Sequence, residues 1–153
     1  VITVLLILHG ILAVFLVGAI THQAIGVWKT TPVPSTTFLQ SLMNTRGAVY
    51  ADIVGILYLL TMIGGAVIYP TFVLDVKGNL VDSHMDNVVG AFEIKEHFSV
   101  IGLAMLPAYW YYWKKVGADE HILTRRLATT LLALLVWWNF VVGHIVNNVR
   151  GVL

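Results

Sequence analysis

His9, His22, His97 and His144 all fall inside, or at the edge of, long apolar runs. Ionisable groups are expensive in such surroundings, so they usually face a protein interior and serve a function. Imidazole suits haem iron, copper and non-haem iron. Beside His97 stand Glu93, Lys95 and Glu96. Glu93 and His97 are four apart and share a helix face, so the carboxylate could orient a ligating ring or bind a metal itself. Glu93 and Glu96 could also carry protons. The plainer alternative pairs Lys95 with one carboxylate and lets the remaining charges reach for the interface. His84, among Asp82, Ser83 and Asp86, and His121 are expected to be solvated loop residues.

The elements that must position these groups are legible in the composition. Hydrophobic residues make up 58% and charged residues 11% of the 153 residues, against roughly 25% charged in a soluble domain. A bilayer span needs ~20 apolar residues. Four segments qualify at about 2–28, 48–69, 88–113 and 127–149, giving a single transmembrane domain over 1–153. The first is expected to be a retained helix, because it is long and lacks a basic start. Pro32 and Pro34 separate it from a semi-polar stretch, 36–46, that reads as a short interfacial helix. Pro70 should end the second span, 71–87 should be a loop, and Pro107 should kink the third span. A charged connection, 114–126, precedes the fourth. Asp52 reads as a buried ion pair or packing group, and Asn139 as an interhelical hydrogen bond.

The expected fold is therefore all-α, an integral membrane four-helix up-down bundle. One face holds the two termini and the 71–87 loop. The other carries Lys29, Arg46, Lys114, Lys115, Arg125 and Arg126, against Lys77 and Arg150 on the first. The positive-inside rule assigns the richer face to the cytoplasm, with both termini extracytoplasmic in a bacterial inner membrane. Trp110 to Trp113 form an aromatic belt at that cytoplasmic edge.

Heights follow from ~1.5 Å of rise per residue. His9, His97 and His144 lie about seven, five and seven residues from the middles of their spans, all towards the extracytoplasmic side. Three helices thus deliver one imidazole each to a layer roughly 3 Å thick. If they face inwards together they make a ligand set. Gly10, Gly90, Gly102 and Gly143 would let a flat macrocycle approach the backbone. In an up-down square the first and third spans are diagonal, so His9 and His97 could ligate from opposite sides. His97 with His144 is the rival pairing. A non-haem copper or iron site on His9, His97, His144 and Glu93 is a further alternative.

His9 and His22 are thirteen residues apart, about 20 Å along one helix face. This spacing resembles the four-helix b-type membrane cytochromes, in which one helix carries two haem ligands near opposite sides of the bilayer. The resemblance implies haem b and electron transfer. His22 would need a partner at its own level, and the imidazole available there is His121 in a polar connection. One haem per chain is therefore expected.

Without cysteine the chain has no thiolate site, disulfide or covalent haem attachment. A phosphate loop, a nucleophile elbow and an H-E-x-x-H run are missing too, and the net charge of +1 gives no reason to expect nucleic acid. The expectation is an electron-transfer subunit rather than a free-standing enzyme. Its partners would be lipid, other membrane subunits, quinone and a c-type cytochrome. The alternative is a non-redox accessory or assembly subunit of a respiratory or photosynthetic complex.

Overall fold

The computed structural model describes residues 1–28, 47–117 and 120–150. All regular structure among them is helical. Helix α1 spans Ile2–Val27 and α2 spans Gly47–Phe72. A π-helical turn, Val73–Lys77, and a short helix α3, Gly78–Asp82, continue directly from α2. Helix α4 is Asp86–Lys114 and α5 is Ile122–Arg150. The expected interfacial helix at 36–46 lies outside the described residues.

Among the described residues, three segments are long and apolar enough to cross a membrane: Ile2–Val27, Gly47–Asp82 and Ile122–Val149. Helices suit that setting because their backbone groups are satisfied internally. The fourth expected span, α4, matches the others in length with 29 residues. It falls short in apolarity, since Asp86, Glu93, Lys95 and Glu96 crowd its first part.

Pro70 does not end the second span. Its ring lacks the N–H of an ordinary helical residue and crowds the carbonyl four residues back. The chain answers within a turn by widening to π geometry at Val73–Lys77 and then resumes as α3, so the expected 71–87 loop is mostly helical. The reversal into α4 is a compact left-handed cap. His84 has φ 56°, its N–H donates to the Val81 carbonyl at 2.9 Å, and the Met85 N–H donates to the Leu80 carbonyl at 2.9 Å. These bonds satisfy the last carbonyls of α3. Leu80 is fully buried, and Met85 packs against the same apolar cluster. Helix α4 runs through Pro107 without interruption.

The principal packing partners of α1 are α2 and α5, and those of α4 are also α2 and α5. Side-chain bonds give the directions. Trp28, at the end of α1, bonds Thr130 near the start of α5, and Trp137 bonds Thr21. Asp52, early in α2, bonds Trp110 and Lys114, late in α4. Neighbouring helices are thus antiparallel. One apolar cluster, centred on Ile20, Val54, Tyr109 and Leu132, fills the middle and the end opposite the N-terminus. A second, Phe72, Val76, Leu80, Val142 and Val146, closes the other end.

Helix α5 starts before the expected boundary, because Arg125 belongs to the fold rather than to a solvated flank. Its guanidinium is buried and donates to the carbonyls of Tyr112, Val116 and Gly117 at 2.7, 2.6 and 2.6 Å. These are the carbonyls at and just beyond the C-terminus of α4, where cations and donors are favoured.

Candidate functional site

Between the two apolar clusters the helices part around a cavity of about 760 Å³. That is within the range of small-molecule sites, ~300–1,000 Å³. All four long helices line it. Most of the wall is apolar, and the polar groups include His9, Tyr58, Lys95, Glu96, Asn139 and His144.

His9 comes from α1, and the Nδ1–Cε1 edge of its ring lies against Gly64 and Gly65 of α2. A Cβ at Gly64 would stand 3.2 Å from Nδ1, and one at Gly65 would stand 3.3 Å from Cε1. The glycine pair therefore makes a seat that any larger residue would crowd. Nδ1 is buried without a hydrogen-bond partner among the described residues. The rest of the residue belongs to the wall of the cavity. Ligating histidines commonly turn one nitrogen to the metal and the other to a carbonyl. His144, on the adjacent helix α5, lines the same cavity and stacks on Phe140, with centroids 6.5 Å apart and planes 8° apart.

His97 is not part of this arrangement. It is exposed and not among the residues lining the cavity. Its Nδ1 lies 2.7 Å from the Glu93 carbonyl in the preceding turn. Glu93 shares that outward face, as the spacing predicts, but its carboxylate is taken by Lys77 at 2.9 Å and does not orient the imidazole. Three imidazoles at one height therefore do not become three imidazoles at one point. Among the described residues, the histidines lining the cavity are His9 and His144. No group of three or more His, Cys, Asp or Glu side chains able to hold a metal ion occurs among the described residues. The donor set for a non-haem copper or iron centre is not assembled there.

His22 belongs to a separate polar layer near the far end of α1. Its Nδ1 is 2.9 Å from the Tyr50 hydroxyl, and its Nε2 is buried without a partner. Next to it Gln23, fully buried, donates to the Gly47 carbonyl at 2.9 Å and accepts from the Tyr109 hydroxyl. Asp52 pairs with Lys114 at 2.6 Å, but the pair lies at the surface and is not the buried one expected. Its suggested neighbour Arg46 lies outside the described residues.

The glycines divide in the same way. Gly10 lines the cavity, and a Cβ there would meet nothing within 4 Å; at Gly143 it would meet Lys95 Cε at 3.5 Å. Gly102 is not free for a ligand, because the Tyr58 hydroxyl occupies its surface on the way to the Ser99 carbonyl at 2.8 Å. The expected hydrogen bond from Asn139 is not made at Oδ1, which is buried and unpaired in the cavity wall. His84 and His121 are exposed, both at positive φ, with His121 edge-on to Tyr112.

Two features went unread in the sequence. The Gly64-Gly65 pair was an available signal, since adjacent glycines within a bulky apolar run mark a close approach. The sequence suggests Lys95 only as a partner for carboxylates, whereas it lines the cavity and forms no ion pair among the described residues. Comparison of the chain with protein-family models, with curated proteins and with solved structures finds no match.

Proposed function

We propose that the chain is an integral membrane four-helix up-down bundle that holds one haem b in the cavity and serves as an electron-transfer subunit of a larger complex. Both termini would lie outside the cytoplasm, as the distribution of Lys and Arg favours, in a bacterial inner membrane. The observation that carries this reading is the posture of His9. One ring edge is seated on Gly64 and Gly65, and the residue lines a mostly apolar cavity. The residues fit the group in three respects: a ligand-like imidazole, a second imidazole at His144, and open backbone at Gly10. Bound haem would supply one-electron chemistry. The chain's own residues would hold it, exclude water and, through Glu96, offer a proton acceptor beside it. Quinol in the membrane and an extracytoplasmic c-type cytochrome are the proposed exchange partners.

Purified protein, expressed with ample haem, should show a Soret band that shifts with dithionite and a pyridine haemochrome corresponding to one haem b per chain. His9→Ala should lose most of that haem while remaining helical by circular dichroism. Failure of the folded wild-type chain to retain porphyrin would overturn the proposal.

One observation favours the second reading, a non-redox accessory or assembly subunit. The outward face of α4 carries Glu93 and His97 on the least apolar of the long helices. A polar stripe of that kind suits contact with another subunit better than contact with lipid. Under this reading His9→Ala would change the yield of the complex and leave every spectrum untouched.

A further inference from the structure

Lys95 is the cation of the cavity. It projects from α4 into the wall shared by all four helices, and its position is fixed from two sides. Its Nζ lies 4.8 Å above the centroid of the Phe92 ring, and Phe92 is itself stacked on Phe72. Its stem reaches α5, where Cε would stand 3.5 Å from a Cβ at Gly143. Among the described residues its ammonium makes no hydrogen bond and no ion pair. The carboxylate of Glu93 is held by Lys77. Glu96 lines the same cavity but does not come within ion-pair distance of Lys95.

Lys95 is half-buried; an ammonium partly withdrawn from water without a counter-charge carries a cost that is offset when an anion meets it. An aromatic face recovers only part of this. The remaining wall is largely apolar and runs inward to Leu16, Tyr58 and Val136. From Ile2 to Leu16 this is about 20 Å of depth at ~1.5 Å per residue. A fixed cation beside a deep apolar chamber selects a ligand with an apolar body and an acidic end.

We infer that Lys95 receives a carboxylate of such a ligand, so that the cavity takes acidic amphiphiles in preference to their neutral counterparts. The inference rests on reading the cavity as a ligand site. The carboxylate has two sources: a haem propionate if the proposed function holds, or a long-chain fatty acid if it does not.

The test uses the full chain in detergent micelles. Haem and its dimethyl ester, which has the same macrocycle with both acids masked, are titrated against wild type, Lys95→Met and Lys95→Arg. Wild type should prefer the acid by about tenfold, as expected for one charge-assisted contact. Lys95→Met should bind acid and ester alike, and Lys95→Arg should retain the preference. If haem does not bind at all, the proposed function fails, and the comparison is repeated with a fluorescent long-chain fatty acid and its methyl ester. Preference for the fatty acid in wild type, abolished in Lys95→Met, would support the inference independently. Equal affinity for acid and ester in wild type, a preference that survives Lys95→Met, or no binding of either ligand class would overturn it. Should Lys95→Met fail to fold, the acid-to-ester ratio of wild type still decides.

Discussion

Arg125 Nε donates to the carbonyl of Tyr112 at 2.7 Å, so a residue in the first turn of α5 completes the last turn of α4. The same guanidinium reaches the carbonyls of Val116 and Gly117 and lies over the Trp113 ring at 5.5 Å. Charge-assisted bonds to buried groups are worth ~1.5–3 kcal/mol, and leaving their acceptors unpaired adds to the loss. Arg125→Met should therefore destabilise the protein by about 3 kcal/mol, read as a lower midpoint of unfolding in mixed micelles. Arg126→Met removes a single 3.1 Å bond to the Val27 carbonyl and should cost about 1 kcal/mol.

Tyr58 and Gly102 form a matched pair. A Cβ at Gly102 would collide with the Tyr58 hydroxyl, and Tyr58 is almost fully buried. Gly102→Ala should cost ~1–3 kcal/mol through overpacking. Tyr58→Phe should cost about 1 kcal/mol for the lost bond to Ser99. The double variant should be more stable than the sum of the two losses predicts, since it removes the colliding oxygen. Strict additivity would show that the two residues do not compete for space.

His84 occupies the left-handed region at φ 56°, where a side chain costs ~1–2 kcal/mol and glycine little. His84→Gly should raise stability by about 0.5–1 kcal/mol, after allowance for the freedom of glycine in the unfolded chain. A drop in the unfolding midpoint would mean that the imidazole makes a contact that matters more than its backbone.

His97 and His9 should respond differently to replacement if haem is bound. His97→Ala should leave the Soret maximum and the haem content unchanged, because its ring is exposed and away from the cavity. Loss of haem from His97→Ala with full retention in His9→Ala would reverse the assignment.

Gly64 tests the seat of His9 without touching the imidazole. In Gly64→Ala the new methyl would stand 3.2 Å from Nδ1, tighter than ordinary packing, so the ring must give way. The expected result is a folded protein with altered electron paramagnetic resonance g-values of the bound haem, or at least a twofold lower haem content. An unchanged spectrum would show that the ring's position does not depend on the glycine pair.

A sequence gives each histidine an approximate depth along its span, but not its bearing around the helix axis. Rise per residue is fixed, so any apolar run gives an approximate depth. Bearing has to be read from an uneven distribution of polar and apolar side chains. Helix α1 is apolar almost all the way round, so nothing in its sequence reveals which face carries His9 inwards. In α4 the polar residues occur on two faces. Lys95 and Glu96 turn to the cavity, while Glu93 and His97, one turn apart, turn out. Only contact with α2 and α5 decides between them. The helical continuation past Pro70 was hidden for another reason. Proline usually stops a helix, and the π turn that absorbs it uses Val73, Leu74, Asp75, Val76 and Lys77, none of which signals such a turn.

The continuous helical path from Gly47 to Asp82 comprises 36 residues, about 54 Å at ~1.5 Å per residue, whereas the hydrocarbon layer is ~30 Å thick. In the proposed orientation the surplus stands outside as a buttress, tied by Lys77 to Glu93. Along α4, Glu93 is about 26 Å from Trp110, which places the charged residues at the outer margin of the lipid when the tryptophans mark the inner one. The Lys95 end of the cavity then lies at the level of the headgroups. A molecule with one ionic end could slip in sideways from the outer leaflet, keeping its charge wet until Lys95 replaces the water.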